Sequence, residues 1–222
     1  MNEREALTMV LRSRELLYAM LSRCFGGEPD EAMIDVLSST EFDQVCAVLD
    51  DDKGTLSSLR ADIGSEVAER GLEELCREYT VCFVGPQTLV FPWESVYVTG
   101  EELVFQPCTL NVRDAYRLEG FEANGESHEP DDHVATEADF LAKLAKRATG
   151  EFESAEAGAT LATLEASRTF LLEHLGAWIV DFSNALESAG PDGAVYWRIA
   201  RFAVAFVEND KALLEEFIET IA

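Results

Sequence analysis

The sequence predicts an all-α protein, a single domain over residues 1–222 built as a bundle of about eight helices, and three observations carry that expectation. Apolar residues recur at spacings of three and four through most of the chain, while no stretch alternates strictly as a half-buried strand does. Glycines and prolines fall mainly between the periodic segments, where they end helices. The composition, 47% hydrophobic and 27% charged in 222 residues, is that of a chain long enough to bury one substantial core.

The segments follow in order. In residues 3–25, Leu7, Val10, Leu11, Leu17, Met20, Leu21 and Cys24 share one helical face, and Gly26, Gly27 and Pro29 end it. A second helix is expected across Glu31–Leu49, ending in the Asp50–Gly54 turn. Leu56, Leu59 and Ile63 open a third segment, which Leu72, Leu75, Tyr79 and Phe83 continue past a break near Gly71 as far as Gly85-Pro86. Residues 84–108 hold three prolines, two glycines and no helical period, so a long ordered loop is expected, with Phe91, Trp93, Tyr97 and Phe105 arguing against disorder. A helix over Thr109–Phe121 and a turn at Gly125 come next.

A helix then starts near His133, because Pro130 disfavours helix in the residue before it and Asp131 or Asp132 is a good N-cap. Val134, Ala138, Leu141 and Ala145 continue it at helical spacing. Thr149–Thr160, with Gly150 and Gly158, is the candidate hinge, and a hinge there would permit domain exchange, leaving monomer and domain-swapped homodimer both open. The longest apolar face runs from Leu161 to Leu186 and stops at Gly190-Pro191, followed by two amphipathic segments, Val195–Val207 and Ala212–Ile221.

Charge narrows the function classes. With 43 acidic against 17 basic residues the chain carries −26, the wrong sign for nucleic acid or anionic membranes. The excess either steers a basic ligand toward the protein or reflects a host whose proteins are generally acidic. Five scattered cysteines, without a C-x-x-C pair, fit reduced thiols in a cytoplasm. The N-terminus mixes charges through its apolar residues, unlike a secretory signal, and no run approaches the ~18 apolar residues of a membrane span, so a cytoplasmic protein is expected.

The segment Glu126–Leu141 concentrates the chemistry. His128, Glu129, Asp131, Asp132 and His133 are all competent metal ligands, but H-E-x-x-x-H is one residue longer than the helical zinc motif and Pro130 interrupts it. No Glu-x-x-His pair, phosphate-binding loop or nucleophile elbow occurs, so no catalytic residue, metal site or enzymatic activity is expected. The remaining readings are a well-capped acidic helix start and, as the alternative, a helical enzyme or metal protein built on Glu129–His133. Phe170, His174, Trp178 and Phe182 form one row at spacings of four, in which His174 is either a hydrogen-bonded core residue or the polar fixture of a groove wall. Trp93 is either a plug over the core or the flank of a groove that takes an apolar peptide residue.

Four pieces of sequence, in order, resemble one family. They are the helix ending in Tyr79-Thr-Val-Cys-Phe-Val-Gly85-Pro86, the segment Phe91-Pro92-Trp93-Glu94-Ser95-Val96-Tyr97, the segment Glu129-Pro130-Asp131-Asp132-His133, and Phe170-x-x-x-His174-Leu175-x-x-Trp178. Together they are similar to the TorD/DmsD/NarJ family of cytoplasmic redox enzyme maturation chaperones over about residues 72 to 182. The resemblance implies an all-helical chaperone that binds the twin-arginine signal peptide and the apo form of a molybdopterin-dependent, dimethyl sulfoxide reductase-type oxidoreductase, delaying export until the cofactor is inserted. It places the peptide-binding surface at Asp131, Asp132 and His133 and at Pro92, Trp93, Glu94 and Tyr97. Asp131, Asp132, Glu94 and Glu129 are then the candidate partners for arginines, and Trp93, Tyr97 and Trp178, beside His174, the candidate apolar wall. Guanine nucleotide or molybdopterin contacts follow from the resemblance alone, since no motif here supports a bound cofactor.

Overall fold

Ten α-helices and no strand occur among residues 3–84, 88–123, 129–189 and 194–221, which the computed structural model describes. They are α1 (Glu3–Phe25), α2 (Glu31–Leu37), α3 (Thr40–Val48), α4 (Thr55–Tyr79), α5 (Glu94–Thr99), α6 (Pro107–Leu118), α7 (Val134–Glu153), α8 (Ala157–Glu173), α9 (Leu175–Ala189) and α10 (Val195–Ile221), with a π-helical turn over Thr80–Val84 extending α4. The all-α expectation holds, and the count exceeds eight because two expected helices are each divided and α5 lies within the expected loop, while the last two expected segments form one helix. The expected stops at Gly85-Pro86 and Gly190-Pro191 and the turn at Gly125 lie outside the described residues.

The apolar periods decide the packing. Helix α1 lies along α7, α8 packs on α7 and α10, and α4 and α9 flank α10. Tyr18, Phe25, Trp178, Phe182, Tyr196 and Phe206 are among the largest side chains sealed in the core. At one end of that core Arg14 of α1 grips Asp210 of α10 through two hydrogen bonds of 2.5 and 3.0 Å, and the Tyr18 hydroxyl donates to the same carboxylate at 2.7 Å. A charged residue in mid-helix therefore does not end α10, and the two segments expected at Val195–Val207 and Ala212–Ile221 are one helix of 27 residues.

Other departures have equally local causes. The helix expected over Glu31–Leu49 is two, because Asp30 caps α2 by accepting from the Met33 N–H at 2.8 Å and Ser39 caps α3 by accepting from Phe42 at 3.1 Å. The break near Gly71 is a kink at φ 73°, ψ 171°, backbone that glycine adopts without steric cost. The loop expected over residues 84–108 contains the six-residue helix α5. The Leu161–Leu186 helix is broken at His174, whose φ and ψ are −122° and −105°, giving α8 and α9. Just beyond it, Gly176 packs so closely that an added Cβ would lie 2.4 Å from the Leu171 carbonyl oxygen. The segment 149–160 is mostly helical, with 154–156 as the turn between α7 and α8. No helix among the described residues is long and apolar enough to cross a membrane.

Candidate functional site

Three segments far apart in sequence meet at one end of α7: the loop entering α5, the residues preceding α7, and the break between α8 and α9. Trp93 and His133 form an antiparallel bridge, with the Glu94 N–H donating to the Asp132 carbonyl at 2.9 Å and the Val134 N–H to the Pro92 carbonyl at 2.9 Å. Asp132 is a cap, though not of the helix that follows it. Its side-chain Oδ2 accepts from the Ser95 N–H at 3.0 Å and so closes the start of α5. The cap of α7 is His133, whose Nδ1 accepts from the Ala135 N–H at 3.1 Å.

That hydrogen bond fixes the imidazole. Burial pushes the His133 pKa down to about 4, so the ring is neutral at physiological pH, and with Nδ1 accepting, the proton sits on Nε2. Nε2 has no hydrogen-bond partner among the described residues, and His133 borders a cleft of about 290 Å³ between α1, α4, α6 and α7. Tyr79, Tyr116, Phe121 and Phe140 supply much of its apolar wall. Trp93 is partly exposed at the rim, donating its indole N–H to exposed Glu129 at 3.3 Å and stacking on Phe91 with ring centroids 5.8 Å apart.

Behind the rim lies a sealed polar layer. Glu94 is 4% exposed, Glu137 and Asp132 are at 0%, and His174 is at 7%. The Nδ1 atom of His174 is 3.0 Å from Glu94 Oε2, and the Trp178 indole donates to Glu137 Oε2 at 3.1 Å. Burial first, and then the negative charge of Glu94, push the Glu137 carboxyl well above its ordinary range, so it keeps its proton where a free glutamate loses one. Tyr97 roofs this layer, stacked on Trp178 at 5.3 Å with its hydroxyl donating to the Phe91 carbonyl at 2.8 Å. The start of α5 points its N–H groups at Asp132, that of Glu94 to its carbonyl and that of Ser95 to its carboxylate, and this partial positive charge offsets the buried acid.

The sequence candidates thus separate into two layers. Trp93, Tyr97 and Glu129 reach the surface, whereas Pro92, Glu94, Asp132, His133, His174 and Trp178 are buried. Of the alternatives for His174, the structure takes the core one, with Glu94 as its hydrogen-bond partner. Asp131 is 9% exposed and committed internally: Arg113 Nη2 sits 2.6 Å from its carboxylate, and its carbonyl accepts from the Tyr116 hydroxyl at 2.8 Å. Among the candidate carboxylates for an incoming arginine, only Glu129 is exposed. Glu137, Arg113 and Tyr116 were not among the sequence candidates. Glu137 had a signal, since it lies in a buried stripe with Leu141, Leu144 and Ala148, where an acidic residue is out of place. Among the described residues no group of three or more His, Cys, Asp or Glu side chains could hold a metal ion, and His128 lies outside them.

Comparison with known proteins gives a consistent picture. The family profile described as nitrate reductase delta subunit matches residues 46–184. A protein named chaperone protein TorD from Vibrio cholerae is 32% identical over 128 residues, which are 58% of this chain and 56% of that relative, so the match spans little more than half of it. Chaperone proteins of the same name from Shewanella piezotolerans and Aliivibrio salmonicida align almost end to end, at 23% identity over 217 residues and 25% over 219, covering 93% and 96% of this chain and 94% and 99% of those relatives. The crystal structure of a putative redox enzyme maturation protein from Archaeoglobus fulgidus superposes with a TM-score of 0.51 at 21% identity, covering 91% of this chain and 93% of that one, and so shares the fold.

Proposed function

We propose that this chain, which belongs to the nitrate reductase delta subunit family, is a cytoplasmic chaperone, not an enzyme, that binds the twin-arginine signal peptide and the apo form of a molybdenum-cofactor oxidoreductase of the dimethyl sulfoxide reductase type. The observation that carries the peptide reading is the pairing of Trp93 with exposed Glu129 at the mouth of the cleft that His133 lines. A twin-arginine leader presents guanidinium groups followed by an apolar segment. Glu129 supplies a carboxylate that an arginine engages through two parallel hydrogen bonds, and Trp93, Phe121 and the tyrosines supply apolar surface beside it. The Nε2–H of His133 is a neutral donor, suited to a peptide carbonyl and free of repulsion toward the arginines.

The buried layer has a different part in this proposal. Glu94, Asp132, Glu137, His174 and Trp178 bind no peptide themselves; they hold Trp93 and His133 in register by joining α5, α7 and the α8–α9 break. No bound cofactor is part of the proposal. The test is co-expression of the tagged chain with a molybdoenzyme precursor carrying its leader, and with the same precursor lacking it. The expected result is co-purification that falls sharply without the leader and with Trp93→Ala; equal recovery in all cases would overturn the peptide site.

A further inference from the structure

A second concave surface lies on another side of α1. Clefts of about 730 and 600 Å³ share Leu16, Glu41 and Val45, so they form one groove between α1 and the α2–α3 pair. It runs from Arg4 to Arg23 along α1, about 28 Å at 1.5 Å per residue. Single exposed apolar side chains need no explanation. Here Met9 (39% exposed), Leu16 (52%) and Val36 (42%) all line the same groove, over Met20 and Val45, and leave a continuous apolar face uncovered. The peptide cleft uses Ser22 and Gly26 of α1 and shares no lining residue with this groove, so the two surfaces are separate.

The rim charges say what would cover it. Two of its three arginines are ion-paired within the fold, Arg12 with the Glu153 carboxylate at 2.6 Å and Arg23 with Asp30 at 2.8 Å, while Arg4, which donates to the neutral Phe152 and Glu153 carbonyls and keeps its charge, lies at the opposite end of the groove from Asp35. Among the described residues Asp35 has no ion pair and Glu41 receives only the Thr40 hydroxyl at 3.4 Å. The uncompensated charge at the Asp35–Glu41 end of the groove is therefore negative, on a chain whose net charge is −26. A second copy of this chain would bring the same negative field and be repelled. We propose that the groove docks a cationic amphipathic helix of a partner protein, its apolar stripe on Leu16, Met20 and Val45 and its lysines or arginines toward Asp35 and Glu41. This inference does not depend on the twin-arginine reading.

The experiment titrates the full chain with a synthetic lysine–leucine amphipathic helix of about 18 residues, roughly 27 Å long, and with a scrambled peptide of identical composition, at physiological salt. The helix is expected to bind at least tenfold more tightly than the scrambled peptide. Leu16→Lys should abolish that preference, whereas Val180→Lys, the same charge change at an exposed position of α9, should leave it intact. If Leu16→Lys does not fold, Val36→Lys makes the same test. Equal binding of the two peptides, a preference that survives Leu16→Lys, or sedimentation showing a wild-type dimer that Leu16→Lys dissociates would overturn the proposal. A twin-arginine peptide should bind Leu16→Lys unchanged, so failure here is distinct from failure of the peptide site.

Discussion

The Glu137 carboxyl and the His133 imidazole sit one helical turn apart and both stay neutral, for the same reason: burial penalises the charged form. The consequences for stability have opposite signs. Below about pH 6.5 the unfolded chain protonates His133 while the folded one does so only near pH 4, so stability falls as pH falls through that window. Glu137 keeps its proton when folded and loses it when unfolded, so its contribution declines as pH rises above the ordinary glutamate range. Glu137→Gln keeps an acceptor for Trp178 and removes the titration. Its stability relative to wild type should grow as pH rises above the ordinary glutamate range; a difference that stays constant across denaturant titrations at pH 5, 6.5 and 8 would show that Glu137 ionises normally. At the surface, Trp93→Ala should weaken leader-peptide binding with little change in melting temperature, because its indole is partly exposed and bonded only to Glu129. Asp132→Ala should instead cost roughly 1–2 kcal/mol of stability, by loss of the α5 cap, as read from thermal unfolding.

At the scale of helices, two glycines set how the chain turns. An added Cβ at Gly176 would meet the Leu171 carbonyl oxygen at 2.4 Å and Lys211 Cε at 2.7 Å, so Gly176→Ala should destabilise by roughly 1–3 kcal/mol. At Gly71 nothing lies within 4 Å of an added Cβ, but φ 73° and ψ 171° fall in backbone space that is essentially glycine's alone, so Gly71→Ala should cost roughly 1–3 kcal/mol through backbone strain rather than through a clash; unchanged stability of Gly71→Ala in thermal unfolding would contradict this division. The same distinction explains what the sequence disclosed. Helix faces were legible because Leu7 to Cys24, or Val134 to Ala145, repeat at helical spacing within one segment. The break at His174 was not, since Phe170, His174, Trp178 and Phe182 keep an unbroken period and the partner that holds the imidazole, Glu94, is 80 residues away. Asp132 was recognisable as a cap, but the helix it closes begins 38 residues earlier. Continuity through Asp210 likewise depends on Arg14, at the other end of the chain. At the site, Trp93 and His133 came from motif resemblance, whereas their pairing across an antiparallel bridge and the layer beneath them needed the fold.

Across the whole molecule, −26 of net charge surrounds a site whose exposed carboxylates are Glu129, beside Trp93, and Glu122. The field acts at long range and on encounter, so the association rate with a basic peptide should fall steeply between low and high salt, while dissociation changes less. The contact itself is short-range and specific: a guanidinium fork on one carboxylate, beside an indole. Steering and recognition are thus separable, and the claim that the Trp93–Glu129 rim reads paired arginines stands on the second. Calorimetric titration of a twin-arginine leader peptide into the full chain, repeated with its Lys-Lys counterpart and with Glu129→Gln, tests that claim most directly. The account predicts saturable binding that weakens about tenfold with either change, the cost of losing one charge-assisted fork, at an unaltered melting temperature. A Lys-Lys peptide that binds as well as the arginine one, with Glu129→Gln indifferent to both, would contradict it.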